Sequence, residues 1–127
     1  MPATFRLDTA SGVPFYRQVI DQIMAGIATG ALRAGEQLPT VRALAVDLKV
    51  NLNTVGKAYK ELEIRGILTT QQGSGTFIAA VTVERNEIER QRQVVQVVDE
   101  VLARAAALGL PLQDLLAELE LRLREGR

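Results

Sequence analysis

The chain has 127 residues, 47% hydrophobic and 24% charged, a composition that excludes overall disorder and describes one small domain or a domain with an extension. Fifteen Lys/Arg balance fifteen Asp/Glu, so a protein that coats polyanions through bulk charge is not expected. Neither His nor Cys occurs, which removes imidazole and thiol catalysis, zinc fingers and disulfide frameworks together.

The first predicted element is a helix over about 14–29. Tyr16, Val19, Ile20, Ile23 and Ile27 form one apolar stripe at helical spacing, and Gly30 supplies its C-terminal stop. A connector, 31–38, leads to Leu38-Pro39-Thr40. Thr40 is a good N-cap for a two-turn helix over 41–48, with Val41, Leu44, Ala45 and Leu48 on one face. Lys49-Val50-Asn51 then make a tight turn, and Asn51 can cap a helix over 52–65. Val55, Ala58, Tyr59 and Leu62 cluster on one arc of that helix. Asn53, Lys57 and Lys60 lie on the opposite arc, with Gly56 beside them and Thr54 off its centre. Gly66 ends the helix. Two β-like runs, 67–71 and 76–79, flank a hairpin tip of Gln72-Gly73-Ser74-Gly75.

Beyond residue 80 the texture changes. Residues 83–108 lack Gly and Pro and read as one long helix; Gly109-Leu110-Pro111 breaks it before a second helix over 111–125. The expected domains are therefore 1–80 and 81–127. Ile88, Val94, Val95, Val98, Val101 and Leu102 give the long helix a broad apolar face, and Leu112, Leu115, Leu116 and Leu119 continue as a second stripe. Two helices cannot bury both faces on each other and a small domain, so a second copy of the chain is expected to cover them as a homodimer. Leu121 falls on the opposite side of its helix, with no partner assigned.

Helix, short helix, tight turn, helix, hairpin is the order of a winged helix-turn-helix. The expected fold class is α+β, mainly helical: an N-terminal winged helix-turn-helix with a C-terminal two-helix dimerisation segment. In such a fold the helix after the turn enters the major groove. Asn can bond adenine bidentately, and Lys can reach guanine or a phosphate. A Gly-Ser-Gly tip allows close backbone approach to a sugar-phosphate chain. The polar arc of Asn53, Lys57 and Lys60 and the tip at Gly73 and Ser74 are therefore expected to meet DNA.

These segments resemble the GntR family of bacterial transcription regulators, and within it the YtrA-like subfamily. Leu38 to Ala45 is similar to the family's LPS-x-R-x-LA segment. Val50 to Glu63 is similar to VNPNTV-x-[KR]-AY-x-ELE, and Gly73 to Ile78 to the wing G-x-GTF-[VI]. Pro14 to Val19 fits the P-[IL]-Y-x-Q-[IV] opening, and the tail around Gly109-Leu110-Pro111 fits the subfamily. The resemblance implies a dimeric, operator-binding regulator. It implies that Arg42 meets a phosphate or base edge, that Asn51 caps the reading helix, that Asn53, Thr54 and Lys57 face DNA, and that Gln72 lies in the wing; with the resemblance the expected DNA-binding residues are Thr40, Arg42, Asn51, Asn53, Thr54, Lys57, Lys60, Gln72, Gly73 and Ser74. Leu52 and Gly56 stand where many family members carry Arg, which implies weaker direct guanine readout.

The resulting expectation is a transcription regulator, a repressor by family tendency, docking two 52–65 helices into successive major grooves of a pseudo-palindromic DNA operator. The 83–108 helix, about 39 Å long at 1.5 Å per residue, suits the spacing of half-sites about 34–36 Å apart. The alternative is a winged-helix protein-interaction module without DNA binding. An enzyme is not expected, because Glu36, Asp47, Glu61 and Glu63 have no partnered nucleophile. No cofactor or metal is expected. The C-terminal segment of 47 residues is too short for a dedicated ligand domain, so a small-molecule effector, if one acts, would bind between protomers. No apolar run approaches the ~20 residues of a membrane span and no leader opens the chain, so a cytoplasmic protein with no membrane partner is expected.

Overall fold

The computed structural model describes residues 5–80 and 87–126. The described residues fall into two compact units. The first holds α1 (Phe15–Thr29), α2 (Val41–Leu48), α3 (Leu52–Ile64), β1 (Leu68–Gln71) and β2 (Gly75–Ile78). The second holds α4 (Glu87–Leu108) and α5 (Leu112–Glu125).

The helix ends in the first unit follow local chemistry. The Thr40 hydroxyl accepts from the Ala43 N–H at 3.0 Å, and the Asn51 side-chain oxygen accepts from the Asn53 N–H at 2.8 Å. Both α2 and α3 close with paired bonds, from Lys49 and Val50 after α2 and from Gly66 and Ile67 after α3. Val50 N–H reaches Ala45 O, and Ile67 N–H reaches Leu62 O. The left-handed residue of this closure is Gly66 after α3 but Lys49, at φ 57°, after α2. The α2–α3 turn is thus three residues long, at the cost of a strained backbone in a residue with a Cβ.

One core joins the elements. Val19, Ile20 and Ile23 of α1 meet Leu44 and Ala45 of α2, and Val55, Ala58, Tyr59 and Leu62 of α3. Leu32, Leu38, Leu68 and Ile78 close it from the connector and the sheet. The Tyr59 hydroxyl donates to Pro39 O at 2.7 Å, tying α3 to the entry of α2. Burial pushes the Tyr59 phenol pKa well above its ordinary value, which keeps it a neutral donor.

Three features depart from or go beyond the sequence reading. The strands pair antiparallel from Leu68↔Ile78 to Gln71↔Gly75, so Gly75 belongs to β2 and the tip is only Gln72-Gly73-Ser74. The connector is not a plain loop: Gln37 forms an antiparallel bridge with Phe77, and Leu38 N–H donates to Thr76 O at 2.9 Å. Residues 35–38 thus act as a third edge of the wing, too short to show strand alternation. The arm before α1 is also bonded down. Buried Gln18, in the middle of an apolar stripe, donates to Asp8 O and Val13 O and accepts from Asp8 N–H. Gln22 exchanges a reciprocal pair of bonds with the Arg6 backbone one turn later.

In the second unit, α4 closes on Gly109 at φ 68° with Leu110 N–H bonded to Ala105 O at 2.9 Å. The sequence places the start of this helix at 83; residues 83–86 lie outside the described residues. Pro111 precedes α5 rather than opening it, and its carbonyl accepts from Asp114 N–H. Among the described residues of this unit only Ala105 is buried. Ile88, Val94, Val95, Val98, Val101 and Leu102 on α4 are all exposed, and so are Leu112, Leu116 and Leu119 on α5. Leu115 is half-buried, as is Leu121 on the other side of its helix. No helix among the described residues is long and apolar enough to cross a membrane.

Candidate nucleic-acid interface

The core decides which face of α3 points outward. Val55, Ala58, Tyr59 and Leu62 are each at most 2% exposed, which turns Asn53, Lys57 and Lys60 to solvent and leaves Thr54 half-covered at the edge. The outward arc read from the sequence is therefore the outward arc of the fold. Arg42 projects from the first turn of α2 and is exposed. Thr40 and Asn51 are exposed too, but their side-chain oxygens are occupied as caps. What they can offer a phosphate is the Thr40 hydroxyl proton and the Asn51 amide N–H groups.

Gln72, Gly73 and Ser74 are exposed at the wing tip, with Gly73 at φ 83°. The tip is fixed from below. The Gln37 side-chain amide donates to Ser74 O at 2.9 Å and lies where Gly75 lacks a side chain. A Cβ on Gly75 would stand 2.5 Å from Gln37 Nε2, and Gly75 itself is at φ 124°. Nothing in the local sequence marks Gln37, because its partner becomes visible only across the sheet.

A second unmarked residue is Tyr16, which periodicity assigns to the core or its rim. Its ring is half-buried and carries the Lys57 ammonium 4.0 Å above its centroid. Pro14, Phe15 and Tyr16 of the α1 start and Asn53, Thr54 and Lys57 of α3 line one shallow depression of about 390 Å³. Gly56 precedes Lys57 on α3 and does not line this depression. A Cβ there would touch only Val41 Cγ1, at 3.9 Å, so packing within the chain does not require glycine.

The carboxylates offer little for chemistry. Glu61 pairs with Arg65 at 3.2 Å along α3, and Glu36 Oε1 accepts from the Arg33 N–H. Among the described residues no three acidic groups gather closely enough to hold a metal ion. A tight helix-turn-helix with an outward polar arc, beside a two-stranded wing with a glycine tip, defines the class of winged-helix DNA-binding proteins.

The chain belongs to the GntR family: residues 15–78 match the family described as bacterial regulatory proteins, gntR family. Within that family it is YtrA-like. It is 45% identical over 74 residues to the HTH-type transcriptional repressor YtrA of Bacillus subtilis, across 58% of this chain and 57% of that one. It is 35% identical over 106 residues to the HTH-type transcriptional regulator YhcF of the same organism, across 84% and 87% of the two chains. Among solved structures it resembles the DNA-binding domain of AraR in complex with operator ORX1, with a TM-score of 0.55 and 30% identity. That likeness covers 61% of this chain and 98% of that one. The chain spans little more than half the length of the YtrA repressor it matches. These relatives are transcription regulators, not enzymes.

Proposed function

We propose that the protein is a transcription regulator, acting as a repressor, that binds a pseudo-palindromic DNA operator as a homodimer. Each α3 enters a major groove with Asn53, Thr54 and Lys57 toward the bases and backbone, and Lys60 one turn further along. Arg42, Thr40 and Asn51 meet phosphates at the α2–α3 turn, and Gln72, Gly73 and Ser74 meet the flanking backbone.

The observation that carries this reading is the rigid presentation of one polar face. The buried arc of α3 fixes the direction of the outward arc, and Gln37 fixes the wing tip beside it. The exposed apolar faces of α4 and α5 support the dimer, since monomers rarely expose so continuous an apolar surface. α4 is the spacer between the two reading heads; its 22 described residues span about 33 Å. A small-molecule effector would act between protomers, and the site of action is the cytoplasm.

Selection from a random DNA library with the purified full chain tests this. Enrichment of a palindrome, lost on Asn53→Ala, is the expected result. A folded dimer that enriches no sequence at low salt would instead favour a winged-helix module that docks on protein.

A further inference from the structure

We propose that Tyr16, on α1, is a positioning residue of the DNA interface, holding the Lys57 ammonium at the edge of the reading face, where it meets the DNA backbone and not a base. This rests on the DNA-binding reading above. Lys57 is otherwise an exposed side chain on a long flexible stem, free to sample the whole outward arc of α3. Its ammonium lies instead 4.0 Å from the Tyr16 ring centroid, within the range of an attractive cation–π contact. Tyr16 is itself half-buried and packed against the core, so the ring is a fixed anchor rather than a second mobile group.

The direction of this anchor matters. Tyr16 belongs to the start of α1, to one side of α3, and the depression shared by Pro14, Phe15, Tyr16, Asn53, Thr54 and Lys57 lies between those two helices. Drawn toward it, the Lys57 charge is displaced from the centre of the arc toward its α1 rim. A helix laid in a major groove presents its centre to base edges and its flanks to the phosphates on either side. A lysine held at the flank is a point charge for phosphate. Base reading then falls to Asn53, and Lys57 contributes affinity that does not depend on sequence.

The test is titration of the selected operator and of unrelated duplex DNA at several salt concentrations, with wild type, Lys57→Ala, Tyr16→Phe, Tyr16→Leu and the Tyr16→Leu/Lys57→Ala double variant. Lys57→Ala is expected to weaken both DNAs by the same factor and to lower the salt slope by about 1. Tyr16→Leu is expected to weaken binding by about 2- to 5-fold and to add nothing to Lys57→Ala. Tyr16→Phe, which keeps the ring, should match wild type. By NMR the Lys57 ε-methylene protons should show the upfield shift of a ring face in wild type and Tyr16→Phe, and lose it in Tyr16→Leu. The proposal is overturned if Lys57→Ala changes the selected sequence, if Tyr16→Leu and Lys57→Ala are additive, or if Tyr16→Phe is as damaging as Tyr16→Leu. Wild-type protein that binds neither DNA would overturn the DNA-binding reading itself, a result distinct from all three.

Discussion

Gly75 and Gly56 are both glycines at the proposed interface, and they are there for different reasons. Gly75 stands at φ 124°, and a Cβ would meet the amide of Gln37 at 2.5 Å. Gln37 could swing aside, but only by abandoning Ser74 O, and the backbone strain would remain. Gly75→Ala should therefore cost about 1–3 kcal/mol in urea unfolding and weaken operator binding together. Gly56 is in helical conformation, and a Cβ there would make only an ordinary contact with Val41 Cγ1, at 3.9 Å. Gly56→Ala should raise stability by about 1 kcal/mol through helix propensity, a melting-temperature rise of several degrees in a unit of this size. A variant that melts higher yet binds DNA more weakly would place the 56 backbone against the groove. Unchanged binding would leave the glycine without a role at the interface.

Among the elements, α3 carries the most constraints at once. It packs on α1 and α2 through its buried arc, and its Tyr59 hydroxyl reaches Pro39 O at the mouth of α2. Tyr59→Phe removes that bond and leaves a part-buried carbonyl short of a donor, at a cost of about 1 kcal/mol by denaturant unfolding. The same group sets a pH dependence. Burial holds the folded phenol pKa above the ordinary value of 10, so the unfolded chain ionises first as pH rises. The Tyr59 contribution is fully present below pH 10 and is lost progressively above it. Stability curves of wild type and Tyr59→Phe should converge in that alkaline range. The arm before α1 is held by a different device. Gln18 and Gln22, one helical turn apart, stand in for the backbone partners that an extended arm would otherwise lack.

At the scale of the molecule, the first unit gathers a shared apolar core, whereas among the described residues of the second only Ala105 is buried. Val98 is 47% exposed and Leu119 58%. On a free helix surface Val98→Asp would be nearly neutral. At the proposed interface between protomers it should convert a dimer into a monomer in sedimentation equilibrium. Affinity for the full palindrome should then fall toward that of one half-site. Persistence of the dimer would move the interface elsewhere on the chain.

The helices of the first unit, the outward arc of α3 and the place of the wing are legible in the chain alone. Those follow from local signals: apolar spacing at Val55, Ala58, Tyr59 and Leu62, the capping oxygens of Thr40 and Asn51, and the glycines at 66 and 73. The sequence also carries the family resemblance, because the motif residues are contiguous in the chain. The rest depends on how the elements pack. Lys49 takes a left-handed backbone that no glycine announces, because core packing and the bonds closing α2 offset its strain. Gln37 under Gly75, Gln18 against the arm, and Tyr16 beneath Lys57 are pairings across 38, 10 and 41 positions of chain. Periodicity records only which face a residue shares with its near neighbours; the partner it meets on that face is set by how the elements pack.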